Sequence, residues 1–385
     1  MEVIFILGTS QAFFLSFLVF KKEDKSHGDY ILGAWLAFMG IHLLDYYFLI
    51  TGFSLRHPSL LGIGQCFPML QGPFMFVYIL VMISRSGRLK PAYLIHALPF
   101  VIFTIYFAFD FYYLGAEEKL AYYHVLVAEG SLALAVSDIL NSYLGPIYVI
   151  WSLIKLRIHI KNIANNFSYT EEIDLKWLKN VLLGLGFVWA VVLISNMMDF
   201  FSFAEDYGNH LIYLSVTIAI FFLGYFGIKQ QTIYVPMNTT GDTVQELKVK
   251  TPSSLEKVNP DRYKHSGLKP TESEEYANGL IKYMEQERPY LNGRLSLKEV
   301  AAYLDISVNH LSQVINEQLG KSFFDFVNEY RVEEVKRLMS ESKHEQFTLL
   351  AVAYDSGFNS KSSFNNIFKK MTGYTPSEYL RKKAA

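Results

Sequence analysis

Between Val3 and Ile228 the chain consists of long apolar stretches separated by short polar connections. Seven stretches, about Val3–Phe20, Tyr30–Ile50, Leu61–Ile83, Ala92–Leu114, Leu132–Ile154, Trp177–Met198 and Leu211–Ile228, come close to the roughly 20 residues a helix needs to span a bilayer core. From Glu274 onward the apolar positions recur instead every three or four residues, the stripe of a soluble amphipathic helix. Lys229 to Pro270 lies between, rich in Thr, Lys, Pro, Ser and Gly, with "NTTGDT" and "KTPSSLEKVNP" as turn-forming clusters. The pattern predicts an all-α fold: a seven-span transmembrane helix bundle over residues 1–230, a cytoplasmic linker over 231–271 and a soluble all-α domain over 272–385.

Within the soluble part the spacing predicts a helix over Glu275–Glu287, stopped near Pro289. Another covers Ser296–Leu304, with Ser296 as cap, Glu299 three residues on, and Leu297, Val300, Ala301 and Leu304 as its stripe. After a break at Asp305-Ile306, Ser307 caps a helix through Gln318, ended by Gly320. Its Val308, Leu311, Val314, Ile315 and Leu319 face inward, leaving Asn309, His310, Ser312, Gln313 and Asn316 outward. Two short helices joined by a tight turn, the second polar-faced, form a helix-turn-helix. A long helix over Ser322–Ser340 follows, and then the pattern recurs. Leu349–Ser356, a turn at Gly357-Phe358-Asn359, and Ser360–Thr372 ended by Gly373 make a second unit, packed through Phe364, Ile367, Phe368 and Met371.

Charge adds direction. Of the 35 Lys and Arg, 14 lie in Met1–Gln230, and 12 of those fall in alternate connections, leaving only Arg56 and Lys119 on the other side. Basic connections stay in the cytoplasm, so the N-terminus is expected outside and the C-terminal domain inside, on a multi-pass protein of a bacterial inner membrane. Lys21 and Lys22 follow the first apolar run instead of preceding it, which argues against a secretory signal. Tyr46, Tyr47, Tyr112, Tyr113, Tyr122 and Tyr123 would form an outer aromatic belt. The single Cys66 sits in an apolar run, so no intrachain disulfide and no Cys-based metal site can form.

Polar residues inside apolar spans are costly and suggest function. Asp45, Gln65, Asp110, Asn141, Asn196 and Asp199 fall in the outer half and His42 nearer the middle; of these His42, Asp45, Gln65, Asp110, Asn196 and Asp199 are the candidate ligand-binding residues of a water-filled pocket. Gln11, Gln71 and Asn141 are further polar positions within spans. His42 and Asp45, three apart on one helical face, can share a proton or simply pack as a satisfied pair. No His-Glu-x-x-His, Gly-x-Ser-x-Gly or phosphate-cradling glycine loop occurs. No catalytic residue, metal site or cofactor is assigned, and the chain reads as a non-enzyme.

The duplicated helix-turn-helix, and "VAYDSGFNSKSSFNNIFKKMTGYTPSEY" (Val352–Tyr379) above all, resembles the signature of the AraC family of bacterial transcription regulators. The likeness rests on Ala353, Gly357-Phe358, Phe364, Phe368-Lys369-Lys370, Gly373, Thr375-Pro376 and Tyr379. "HLSQVINEQLGKSFFDFVNEYR" (His310–Arg331) is similar to the family's first recognition helix and linker helix. The apolar half resembles, more loosely, the seven-span sensor domains that some bacteria, notably Bacteroidetes, fuse to such modules. The resemblance implies that each second helix enters a major groove of double-stranded DNA, the two about one turn apart. Asn309, Ser312 and Gln313 of the first, and Lys361, Ser362, Ser363, Asn365 and Asn366 of the second, would meet the bases. Lys369, Lys370 and Lys321 would hold phosphates. Asn366 stands where many family members carry a basic residue. Residues 271–385 carry 15 basic against 16 acidic residues, so overall phosphate attraction is weak, whereas Gly357–Ala385 carries 6 against 1.

The expected function is a membrane-embedded one-component regulator, with double-stranded DNA, the lipid bilayer, a small-molecule or membrane stimulus and a second copy in a homodimer as partners. Two other readings remain open on the sequence. One is a membrane receptor or transporter whose helical module binds a protein partner; the other is a membrane enzyme on a lipid-like substrate, using Asp45 and His42.

Overall fold

The computed structural model describes residues 2–84, 86–169, 175–200, 207–229, 268, 270–341 and 348–384. The expected linker over 231–271 lies almost wholly outside them. Among the described residues every regular element is a helix, and the one β-bridge joins Phe167 to Ser296. The chain divides into two compact units.

The first unit comprises Met1–His159 and Leu175–Thr232. Its helices are α1 (Glu2–Lys21), α2 (His27–Ile50), the single turn α3 (Phe53–Arg56), α4 (Pro68–Ile83), α5 (Leu98–Phe107), α6 (Ala116–Glu129), α7 (Leu132–Asn166), α8 (Lys176–Phe200) and α9 (Tyr207–Lys229). Each apolar stretch of the sequence lies on one of these helices, with α5 lengthened by a 3-10 segment before it and a π-helical segment after it. Five described helical segments are long and apolar enough to cross a membrane; Pro68–Ile83 and the described Gly208–Gly224 are apolar but shorter. The third stretch begins later than expected because Leu61–Phe67 forms turns around Gly62 and Gly64, and the helix starts at Pro68.

Packing explains the sequence along these helices. Ser26 and Asp29 form a capping box that starts α2, and Lys22 Nζ pairs with Asp29 at 2.6 Å, closing the short α1–α2 connection. Gly8, Ala12 and Ser16 make a buried face of α1 at four-residue spacing. Small residues let two helix backbones approach, and here Ser16 Oγ donates to Gly33 O of α2 at 2.8 Å. The same device joins α7 to α8. A Cβ on Gly145 would come within 1.9 Å of the Trp189 ring, so only glycine fits there. Cys66 is buried and free.

The second unit comprises Ile160–Asp174 and Ile233–Ala385, so the end of α7 and the residues after it belong with the C-terminal helices. These are α10 (Pro270–Glu287), α11 (Leu297–Tyr303), α12 (Val308–Glu317), α13 (Phe323–Ser340), α14 (Leu349–Asp355), α15 (Lys361–Thr372) and α16 (Pro376–Ala384), with a 3-10 turn at Pro289–Leu291. Serine or threonine caps recur: Ser296, Ser307, Ser322, Thr348 and Ser360 each accept from a backbone N–H in the first turn of the helix that follows. Each cap satisfies a donor that has no partner within the helix.

Two cores share α13. Its N-terminal half, through Phe323, Phe326 and Val327, packs with α10, α11 and α12. Its C-terminal half, through Val332, Val335, Leu338 and Met339, packs with α14 and with Phe364, Ile367 and Phe368 of α15. One 18-residue helix therefore carries both helix-turn-helix pairs.

Candidate functional site

The second helix of each pair carries the expected polar face. Ser307 Oγ accepts from His310 N at 3.1 Å to start α12, and Ser360 Oγ accepts from Ser363 N at 3.1 Å to start α15. The turns before them take left-handed backbone at Asp305 (φ 52°) and Gly357 (φ 87°). Gly357 is required twice over: a side chain would be strained at this φ, and its Cβ would lie 2.3 Å from Tyr290 O. That close approach seats the second turn on the Pro289–Leu291 segment. Asn359 Nδ2 adds a bond to Gly293 O at 2.7 Å.

On α15, Lys361, Ser362, Asn366, Lys369 and Lys370 are exposed, and Ser363 and Asn365 are half-buried. On α12, Asn309 is exposed and Ser312 half-buried. Gln313 differs from the outward position expected of it. It is only 8% exposed, and its Nε2 donates to Glu317 Oε2 at 2.8 Å. Asn316 Nδ2 donates to Ser312 O at 2.6 Å, so the middle of the α12 face is engaged with itself. Of the expected phosphate holders, Lys321 is paired with Glu329, and Lys370 reaches back to Asp325 of α13 at 2.7 Å. The exposed groups are therefore Asn309 at the start of α12, and Lys361, Ser362, Asn366, Lys369 and Lys370 along the whole of α15.

Arg331 of α13 was not singled out by the sequence pattern as anything but part of a helix. It is 2% exposed and makes five hydrogen bonds. Nε donates to Tyr290 O and Nη2 to Asn292 O, both at 2.8 Å. Nη1 donates to Ser168 O at 2.9 Å and Nη2 to Ser168 Oγ at 3.0 Å. Ser168 in turn donates its N–H and its hydroxyl to Leu295 O. Burial lowers the guanidinium pKa to about 9, which leaves it charged at neutral pH, and its hydrogen-bond partners among the described residues are carbonyl, amide and hydroxyl oxygens. Residues 167–168 thus complete the hydrogen bonding of α13 between the two cores.

The first unit contains a cavity of about 770 Å³. His42, Asp45, Gln65 and Asn196, four of the six expected ligand residues, line it together with Gln71 and Asn141. Asp110 is not among its lining residues; its carboxylate accepts from Tyr122 Oη at 3.2 Å. The side chain of Asp199 lies outside the described residues. His42 Nε2 lies 3.0 Å from Tyr213 Oη, so its polar contact is with tyrosine on α9. Gln71 accepts from Trp35 Nε1 at 2.6 Å, Asn196 Nδ2 donates to Ser142 Oγ at 2.7 Å, and Gln65 Nε2 donates to Asp138 Oδ1 at 3.2 Å. Asp138 and Tyr213 were not expected in this role. Tyr46, assigned to an outer belt, is instead buried and stacked on Tyr213 with ring centroids 3.6 Å apart.

Residues 300–382 match the family described as "Helix-turn-helix domain". An uncharacterized HTH-type transcriptional regulator of Staphylococcus aureus (strain COL) is 36% identical over 85 residues, 22% of this chain and 11% of that relative. HTH-type transcriptional regulator GlxA of Rhizobium meliloti (strain 1021) is 27% identical over 103 residues, 27% of this chain and 31% of that protein. The likeness thus spans less than a third of each relative. No solved structure matches the chain. The C-terminal part of this chain is an AraC-type helix-turn-helix domain, of the kind found in bacterial HTH-type transcriptional regulators.

Proposed function

We propose that this chain is a one-component transcriptional regulator of the bacterial cytoplasmic membrane. In this reading seven helices span the bilayer, the N-terminus is outside, and the helix-turn-helix pairs hold specific DNA in the cytoplasm. A small-molecule or membrane stimulus reaching the first unit sets how firmly they hold it. The observation that carries the reading is the union, in one chain, of apolar helices at every expected span with two capped helix-turn-helix pairs on one α13.

Other features support it. Phe14, Phe17, Ile105, Phe109, Phe187 and Ile218 are each more than half exposed, a surface suited to lipid tails and not to water. An α13 of 18 residues is roughly 27 Å long at about 1.5 Å per residue, a length suited to holding two recognition helices about one DNA turn apart. Binding as a homodimer would add avidity, and confinement to a membrane raises the effective concentration of the second copy.

The test uses the full chain in lipid nanodiscs, mixed with fragmented genomic DNA at two salt concentrations and sequenced after recovery. Discrete sites are expected, lost in the double variant Asn309→Ala, Asn366→Ala. Recovery of no site at either salt contradicts the reading and favours a helical module that binds a protein partner.

A further inference from the structure

We propose that the cavity of the first unit is a site for an organic cation, an ammonium or amidinium group carried on an aromatic or alkyl body. This deepens the proposed function, since it assigns a ligand class to the pocket of that reading.

The charge of the lining is one-sided. Asp45 and Asp138 both face the cavity, and among the described residues no Lys or Arg lines it. Among the described residues neither carboxylate has an ion-pair partner. Asp138 receives one long amide bond from Gln65, and Asp45 lies against Gly64, its Oδ2 2.4 Å from where a Cβ on that glycine would stand. Lys119 is not among the lining residues; its Nζ is 5.4 Å from the Phe111 and 6.0 Å from the Tyr112 ring centroids, both in the lining. Asp45 is half-buried and Asp138 exposed; for the half-buried Asp45 the lack of a counter-charge is unfavourable, and a cation entering the cavity offsets that cost.

The walls suit the body of such a molecule. Trp35, Tyr46, Tyr112, Tyr123, Trp189 and Tyr213 line the space, and aromatic faces attract ammonium groups and pack flat apolar bodies. A volume of about 770 Å³ lies in the range of small-molecule sites. A separate observation points to a missing partner. Tyr46 lines the cavity at 5% exposure, and its hydroxyl has no hydrogen-bond partner among the described residues. Buried hydroxyls are normally satisfied, and a ligand carrying an acceptor beside its cationic centre would satisfy this one. The Asn141 Oδ1 acceptor, also without a partner, suits an ammonium N–H.

Three probes with one body and different charge test the assignment: 2-phenylethylamine, 2-phenylethanol and phenylacetate. Each is titrated into the full chain in nanodiscs while tryptophan fluorescence is followed, since Trp35 and Trp189 line the cavity. The amine is expected to quench saturably, with an affinity at least about tenfold above that of the alcohol and with no saturable effect of phenylacetate. Asp45→Asn and Asp138→Asn, which keep the side-chain shape, are each expected to weaken the amine about tenfold while leaving 2-phenylethanol unchanged. Equal affinity for all three probes, preference for the alcohol or the acid, or no saturable amine binding at millimolar concentration overturns the assignment. If the amine binds as expected but does not change the affinity of the same preparation for its DNA sites, the cation site stands and its coupling to DNA fails.

Discussion

At the scale of single residues, Arg331 sets the geometry between the two helix-turn-helix pairs. Its five bonds end on Tyr290 O, Asn292 O, Asn328 Oδ1 and two oxygens of Ser168, which tie α13 to the Pro289–Leu295 segment and to residues 167–168. Arg331→Met keeps much of the side-chain volume and leaves several buried carbonyls without donors. It is expected to destabilise the second unit by about 3 kcal/mol, read as a lower urea midpoint for protease resistance of α13 in the full chain. An unchanged midpoint would mean that the network contributes nothing to stability. Little of this was legible in sequence, because apart from Asn328, three positions back on the same helix, the partners of Arg331 lie 39 to 163 positions away and offer only backbone carbonyls or a serine hydroxyl. Gln313 fails for a different reason. Helical spacing puts it at the edge of the apolar arc of α12, and periodicity alone cannot say that Glu317, one turn on, folds it inward.

At the scale of elements the polar face of α15 separates two kinds of contact. Lys369 is exposed on the last turn and Asn366 one turn earlier; in the proposed reading the first meets phosphate and the second a base. Lys369→Ala is expected to weaken DNA binding evenly over sequences and to lower the slope of log affinity against log salt by about 0.9. Asn366→Ala should instead cost about 1–3 kcal/mol at one base pair and leave the slope unchanged, as read from competition between single-base variants of a recovered site. Reversed outcomes would exchange their roles. The helices themselves were readable, since long apolar runs and serine caps act locally. The π-helical end of α5 and the amphipathic α6 were not, as neither interrupts the apolar pattern with a distinctive residue. The cavity was legible in part. Polar residues inside apolar runs pointed to His42, Asp45, Gln65 and Asn196, whereas Asp138 drew no role from its position and Tyr46 read as a membrane-surface residue.

At the scale of the whole molecule, the second unit is not confined to the C-terminal third of the chain. Phe167 bridges to Ser296 and Ser168 covers Arg331, both from the segment that follows α7. A fragment over 256–385 lacks these residues. It should fold, yet its α13 amides near Arg331 are expected to exchange faster than in the full chain, by an amount equivalent to about 1–3 kcal/mol. Equal protection in both would show that residues 167–168 add no stability. The central claim joins DNA recognition to the membrane in one chain. Its most direct measurement cross-links DNA to the full chain in living cells, isolates membranes, recovers the protein from them and sequences the DNA it carries. Discrete sites in the membrane fraction, lost with Asn309→Ala, Asn366→Ala while the protein remains in the membrane, are the predicted result. A membrane-bound protein that carries no site-specific DNA, or site-specific DNA recovered only from soluble protein, would contradict the account.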